Sequence, residues 1–162
     1  MPVFPLSRVA AARTRKFFVL ASTFVENNVP AVGMPTHGYT VNYSDDAPAG
    51  VIGFFTVPED FLSGMSVEAV IAGTDGSGNI RVMVDAQYGS DGESVITHTE
   101  STGYSTEAVV IGQFSYMKTL VLASVAKGDM VALVTSRSTT HVDDDDIAVD
   151  MYGWIVSYTA DS

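Results

Sequence analysis

Alternation is the feature that most constrains this chain. Between Asn79 and Tyr88, the residues Ile80, Val82, Val84 and Ala86 fall on one side of an extended backbone, while Arg81, Asp85 and Gln87 fall on the other. A repeat of two is the period of a β-strand with one dry face and one wet face. Short apolar runs of strand length recur at residues 17–25, 37–43, 51–57, 65–72, 115–125, 130–136 and 147–159, with more polar ones at 94–100 and 108–112. Turn formers punctuate them. Pro30, Gly33 and Pro35 make one break, Asp45, Asp46 and Pro48 another, and Ala126-Lys127-Gly128-Asp129 a tight turn. The glycine-rich stretch from Gly73 to Gly78 reads as a hairpin loop. About eight to ten strands at roughly 8–12-residue spacing predict an all-β, antiparallel, jelly-roll-like β-sandwich.

The 162 residues suit one domain. With 46% hydrophobic and 17% charged residues the chain is too apolar for disorder, yet no apolar run approaches the roughly 20 residues of a membrane-spanning helix. Cysteine is absent, which excludes disulfides and thiolate metal sites. The N-terminus is basic but has no continuous apolar core of a secretory signal.

Charge divides the chain unevenly. Of eight Lys and Arg, Arg8, Arg13, Arg15 and Lys16 lie in the first 16 residues, which hold no acid; the remainder sets four bases against all 19 acids. The division predicts a basic N-terminal arm over residues 1–16 and a sandwich over 17–162. The acidic body repels nucleic acid and anionic membranes, so neither is expected as a partner. The arm reads as a docking peptide for an acidic protein surface, or as a frayed terminus.

Enzymatic equipment is not legible. The glycines at 73, 76 and 78 join two strands and offer no helix N-terminus to a phosphate. His37, His98 and His141 fall in no nucleophile or metal signature, and no G-x-S-x-G elbow occurs. The expectation is a protein that is not an enzyme and needs no cofactor. Asp143, Asp144, Asp145 and Asp146 form the sharpest local motif. Four consecutive acids lack the alternation and the glycine of a calcium loop, so a solvated loop is the first reading and a Ca²⁺ site the alternative. In the last run Tyr152, Trp154, Val156 and Tyr158 share one side and Ile147, Val149, Met151 and Ile155 the other. A strand apolar on both faces is buried on both. One face belongs to the core and the other meets a second sheet, a neighbouring subunit or the arm; for the Tyr152, Trp154 and Tyr158 face, core or subunit packing is the first reading and contact with a ligand, such as the ring of a sugar, the alternative.

Several segments carry a resemblance. The stretches Val57-Pro58-Glu59-Asp60-Phe61-Leu62-Ser63-Gly64-Met65, Gly78-Asn79-Ile80-Arg81-Val82 and Ala126-Lys127-Gly128-Asp129-Met130-Val131 read as strand-and-turn grammar of one kind, as does Arg15-Lys16-Phe17-Phe18-Val19. The closing segment Asp150-Met151-Tyr152-Gly153-Trp154-Ile155 fits the same grammar with Gly153 one place early. Together they resemble small jelly-roll virion proteins of tailed bacteriophages. The resemblance implies a virion structural protein, a capsid decoration or head-fibre component. It implies a homo-oligomer, a homotrimer in the first place, with the major capsid protein or another virion protein as partner. It carries no catalytic residue across. The alternative is a carbohydrate- or receptor-binding β-sandwich module of a phage tail or fibre.

Overall fold

The computed structural model describes residues 12–23, 41–43, 50–94 and 97–161. They form eleven strands: β1 (Arg13–Leu20), β2 (Ser22–Thr23), β3 (Val41–Tyr43), β4 (Gly50–Thr56), β5 (Phe61–Gly73), β6 (Gly78–Gly89), β7 (His98–Ser101), β8 (Ser105–Val109), β9 (Phe114–Leu122), β10 (Met130–Arg137) and β11 (Val149–Ala160). The first sheet runs β1-β11-β5-β9, with β3 also on β11; the second runs β2-β4-β10-β6-β7, with β8 also on β6. All of these strand pairs are antiparallel. The long strands alternate between sheets, β4 to β5 to β6 and β9 to β10 to β11, which gives the jelly-roll-like β-sandwich that the spacing predicts.

Alternation explains the core. Ile80, Val82, Val84 and Ala86 of β6 and Val131, Leu133 and Thr135 of β10 face inward from the second sheet. Met65, Val67, Ala69 and Ile71 of β5 meet them from the first. Each Val, Leu, Ile or Met side chain among them contributes roughly 1.5–3 kcal/mol on burial. Tyr88 and Trp154 are also fully enclosed. The Trp154 indole N–H donates to Thr135 Oγ1 at 2.9 Å, so the two sheets share a buried polar bond as well as apolar contact.

Three expectations need correction. The stretch from Gly73 to Gly78 does not close a hairpin, because β5 and β6 lie in different sheets and the loop carries the chain across the sandwich edge. The sheet begins before residue 17: β1 starts at Arg13, where it pairs with Ala160, since β11 runs long enough to zip that far. Arg13, Arg15 and Lys16 are therefore strand residues, and Arg8 lies outside the described residues. Finally, the two faces of β11 exchange partway along the strand. Met151 stands opposite Ile71 and Gly153 opposite Val70, so Tyr152 is the extra residue of a β-bulge. Val149 and Met151 face the core before it; Trp154, Val156, Tyr158 and Ala160 face it afterwards.

Candidate functional site

The bulge divides the aromatic trio. Trp154 and Tyr158 are core residues, 0% and 5% exposed, and neither is available to a ligand or a second subunit. Tyr158 donates its hydroxyl to Asp60 Oδ1 at 2.8 Å, and Asp60 Oδ2 in turn holds Arg15 at 2.7 Å. Arg15 thus fastens the β1 edge to the body of its own chain. Tyr152 alone of the three turns outward.

The acid run is a structural clasp. Asp144 grips the guanidinium of Arg137, with Nη2 to Oδ1 at 2.6 Å and Nε to Oδ1 at 3.1 Å, and both side chains are almost wholly enclosed. Arg137 also donates to the carbonyls of Ile147 and Asp145. Asp144 Oδ2 accepts the backbone N–H of Arg81, and Asp145 Oδ2 that of Asn79, both at 2.6 Å. Asp143 lies 3.9 Å from Arg81 and 3.5 Å from His141. Two of the carboxylates, Asp144 and Asp145, are thus engaged by a cation and by backbone amides, so the run is not the wholly solvated loop that the sequence suggests. Among the described residues no group of three or more His, Cys, Asp and Glu side chains could hold a metal ion. Sequence reading missed Arg137, although its parity with Val131, Leu133 and Thr135 places it on the inward face of β10.

What the bulge turns outward builds a groove on the outer face of the first sheet. Its volume is about 390 Å³, and Thr74, Ile111, Phe114, Asp150 and Tyr152 are among the residues that line it. Phe114 and Tyr152 meet edge to face, ring centroids 4.9 Å apart at 79°. Phe114 is 59% exposed and Tyr116, two residues on along β9 and on the same face, 61%. Register sets Phe114 beside Ala72 and Asp150 beside Ala72 from the other side, so the ring and the carboxyl stand on neighbouring strands across a small residue. Burial first, and then the negative charge of Asp150, push the Tyr152 phenol above its ordinary value of 10.0. It is a protonated donor at neutral pH.

The groove is fixed by short bonds. Gly112 N–H donates to Gly73 O at 3.0 Å, Ile111 N–H to Ser77 Oγ at 2.8 Å, and Thr74 N–H to Ala148 O at 3.0 Å. Gly112 takes φ +68, which a glycine adopts without strain and which turns the 110–113 loop back over the sheet edge. The result is a preformed surface with two exposed ring faces, a phenol donor, a buried carboxylate and a hydroxyl. Among the described residues its lining includes no Lys or Arg. Phe114 passed unnoticed in the sequence; the cue was its two-residue spacing from Tyr116, which places two aromatic rings on one side of a strand.

No family model matches the chain, and no curated protein matches it. Solved structures do. TmCBM61, solved in complex with β-1,4-galactotriose, is 12% identical over 88% of this chain and 86% of that one, with a TM-score of 0.38. The CBM35 from Cellvibrio japonicus Abf62 is 10% identical over 93% of this chain and 98% of that one, TM-score 0.37. The enzymatically active domain of bacteriophage CBA120 tailspike protein 4 is 9% identical over 94% of this chain, but only 20% of the tailspike chain is covered, TM-score 0.42. No residue role is carried over from any of them.

Proposed function

We propose that this chain is a saccharide-binding β-sandwich module and that the groove around Phe114, Tyr116 and Tyr152 receives the sugar. The carrying observation is the meeting of the exposed Phe114 ring with the enclosed Asp150 carboxyl and the Tyr152 phenol in one groove, with the exposed Tyr116 ring two residues along the same face of β9. A pyranose presents an apolar C–H face and a rim of hydroxyls. The rings of Phe114 and Tyr116 suit the first, as large surfaces with little conformational freedom to lose. Asp150, Tyr152 and Thr74 suit the second, since sugar hydroxyls both donate and accept. A lining with one acid and no base favours neutral over anionic glycans. In the phage-virion setting implied by the sequence resemblance, such a surface would engage glycans of the host cell.

The test is an array of neutral and acidic glycans, followed by calorimetric titration of the strongest neutral ligand. Phe114→Ala and Tyr116→Ala each lower affinity about tenfold or more, in the range of an aromatic contact centre, while thermal midpoints stay within a few degrees because both rings are exposed. Absence of any neutral ligand, or titration curves that neither variant changes, overturns the reading.

A further inference from the structure

The outer face of the first sheet also carries Phe18, on the strand farthest from Phe114. In β1, Phe17 and Val19 pack on the core, so Phe18 and Leu20 turn outward, where they are 46% and 61% exposed. Register lays this face out in rows: Leu20, Gly153, Val70 and Tyr116 in one, Phe18, Ile155, Glu68 and Thr119 in the next. The row on the other side holds Asp150, Ala72 and Phe114.

Gly153 connects the two edges of the face. A carbon added at its Cα would lie 2.9 Å from Phe18 Cζ and 3.1 Å from Cε1, so the Phe18 ring reaches over the bare backbone of β11. In the Gly153 row the middle positions are Gly153 and Val70, both buried, while Leu20 and Tyr116 stand exposed at the ends. The row is thus a shallow trough across the strands, low in the centre and apolar at both ends. Polar groups accompany it. Thr119 donates its hydroxyl to Glu68 Oε1 at 3.4 Å, and Ser66 and Ser157 pair in the row beyond.

Size limits what fills the trough. From β9 to β1 are three strand spacings, about 14 Å, and from the Phe114 row to the Phe18 row two two-residue steps, about 13 Å. A patch of roughly 200 Å² is far below the ~800 Å² per partner of a stable protein interface, too little to hold a second copy of this chain. The same span exceeds one pyranose and suits a chain of about three, running across strands set ~4.8 Å apart.

We infer that the ligand of the Phe114 groove is a neutral oligosaccharide of three or more units that lies across the strands, with Phe18 and Leu20 as its second platform. The inference rests on the saccharide reading of that groove and adds the ligand's length and direction. Sugar C–H faces pack on the rings at either edge, and hydroxyls reach Glu68 and Thr119 between them.

The experiment titrates the full chain with neutral gluco-, galacto- and manno-oligosaccharides of one to six units and reads affinity against length. In a series that binds, affinity is expected to rise at least tenfold from the disaccharide to the tetrasaccharide. Phe18→Leu, which keeps apolar bulk over Gly153 but removes the ring, abolishes most of that rise, as does Leu20→Ala. Both leave the disaccharide's affinity unchanged. Phe18→Tyr retains the rise, and Phe54→Ala, on the outer face of the second sheet, alters neither value. Affinity that is flat with length overturns the inference. So does a rise that Phe18→Leu and Leu20→Ala, both folded by their melting curves, leave intact; the Phe114 site itself then stands if Phe114→Ala still weakens the disaccharide. Binding of no series, or binding that Phe114→Ala and Tyr116→Ala leave unchanged, removes the saccharide reading and the inference with it. A dimer in sedimentation that Phe18→Leu dissolves gives the face to a second copy, and the inference is lost.

Discussion

The six-membered ring of Trp154 lies on the bare Cα of Gly53, where a methyl group would overlap Cζ3 and sit 3.0 Å from Cε3. The indole of one sheet is thus seated in a notch that the other sheet leaves by having no side chain. Its position decides that Trp154 is the centre of the core and not part of a surface.

Filling that notch has a predictable cost. Gly53→Ala forces the ring aside and is expected to lose about 1–3 kcal/mol by overpacking, read from denaturant unfolding. Trp154 is the chain's one tryptophan, so its emission reports the displacement directly. An unchanged midpoint together with unchanged emission would contradict the seating described.

A harsher outcome is expected at Gly153. There the added carbon would overlap the carbonyl oxygen of Val19, and the backbone sits at φ +150, which side-chain-bearing residues rarely adopt. The obstacle is backbone, which cannot rotate away as a side chain can. Gly153→Ala should therefore destabilise more than Gly53→Ala and should raise amide exchange first along β1. Equal or milder destabilisation would count against the bulge geometry.

Removing Asp144 leaves the Arg137 guanidinium enclosed without its carboxylate. Asp144→Ala is expected to cost about 3–5 kcal/mol, as for other broken buried pairs, measured by chemical denaturation. Two carboxylates of the same loop, those of Asp144 and Asp145, already hold Arg137 and backbone amides. Millimolar Ca²⁺ followed by EDTA should leave the melting temperature where it was; a calcium-dependent rise of several degrees would revive the ion site.

Tyr88, Tyr152 and Tyr158 have phenols raised above 10.0, in each case chiefly by burial. A group whose folded value exceeds its unfolded value contributes stability that is complete below the unfolded value and declines as pH rises past it. Stability should hold up to about pH 10 and fall above it, with these three phenols ionising above their ordinary value in an ultraviolet titration. Ionisation of all three at or below pH 10 in the folded protein would contradict their burial.

The architecture was legible because strands announce themselves locally. The alternation of Ile80, Val82, Val84 and Ala86 and the turn at Gly128 needed nothing distant to be read. Which sheet a strand joins is another matter. The loop between Gly73 and Gly78 has hairpin composition, yet it bridges sheets, since pairing is decided by partners far along the chain. The candidate site was legible only in Tyr152. One inserted residue at the bulge reverses every later parity in β11, so the sequence pattern grouped Tyr152 with Trp154 and Tyr158 while the fold sets it beside Phe114. Arg137 was hidden for a similar reason, because its partner Asp144 lay within an acid run that looks solvated.

The central claim is that the outer face of the first sheet, at Phe114, Tyr116 and Tyr152, receives a neutral saccharide. Amide chemical shifts of the isotope-labelled protein, followed while the strongest neutral glycan from the array is titrated in, test it most directly. The account predicts saturable shifts centred on Phe114, Tyr116 and Tyr152, with Asp85 and Phe54 unmoved. Shifts centred on any other face, or none at millimolar glycan, would contradict it.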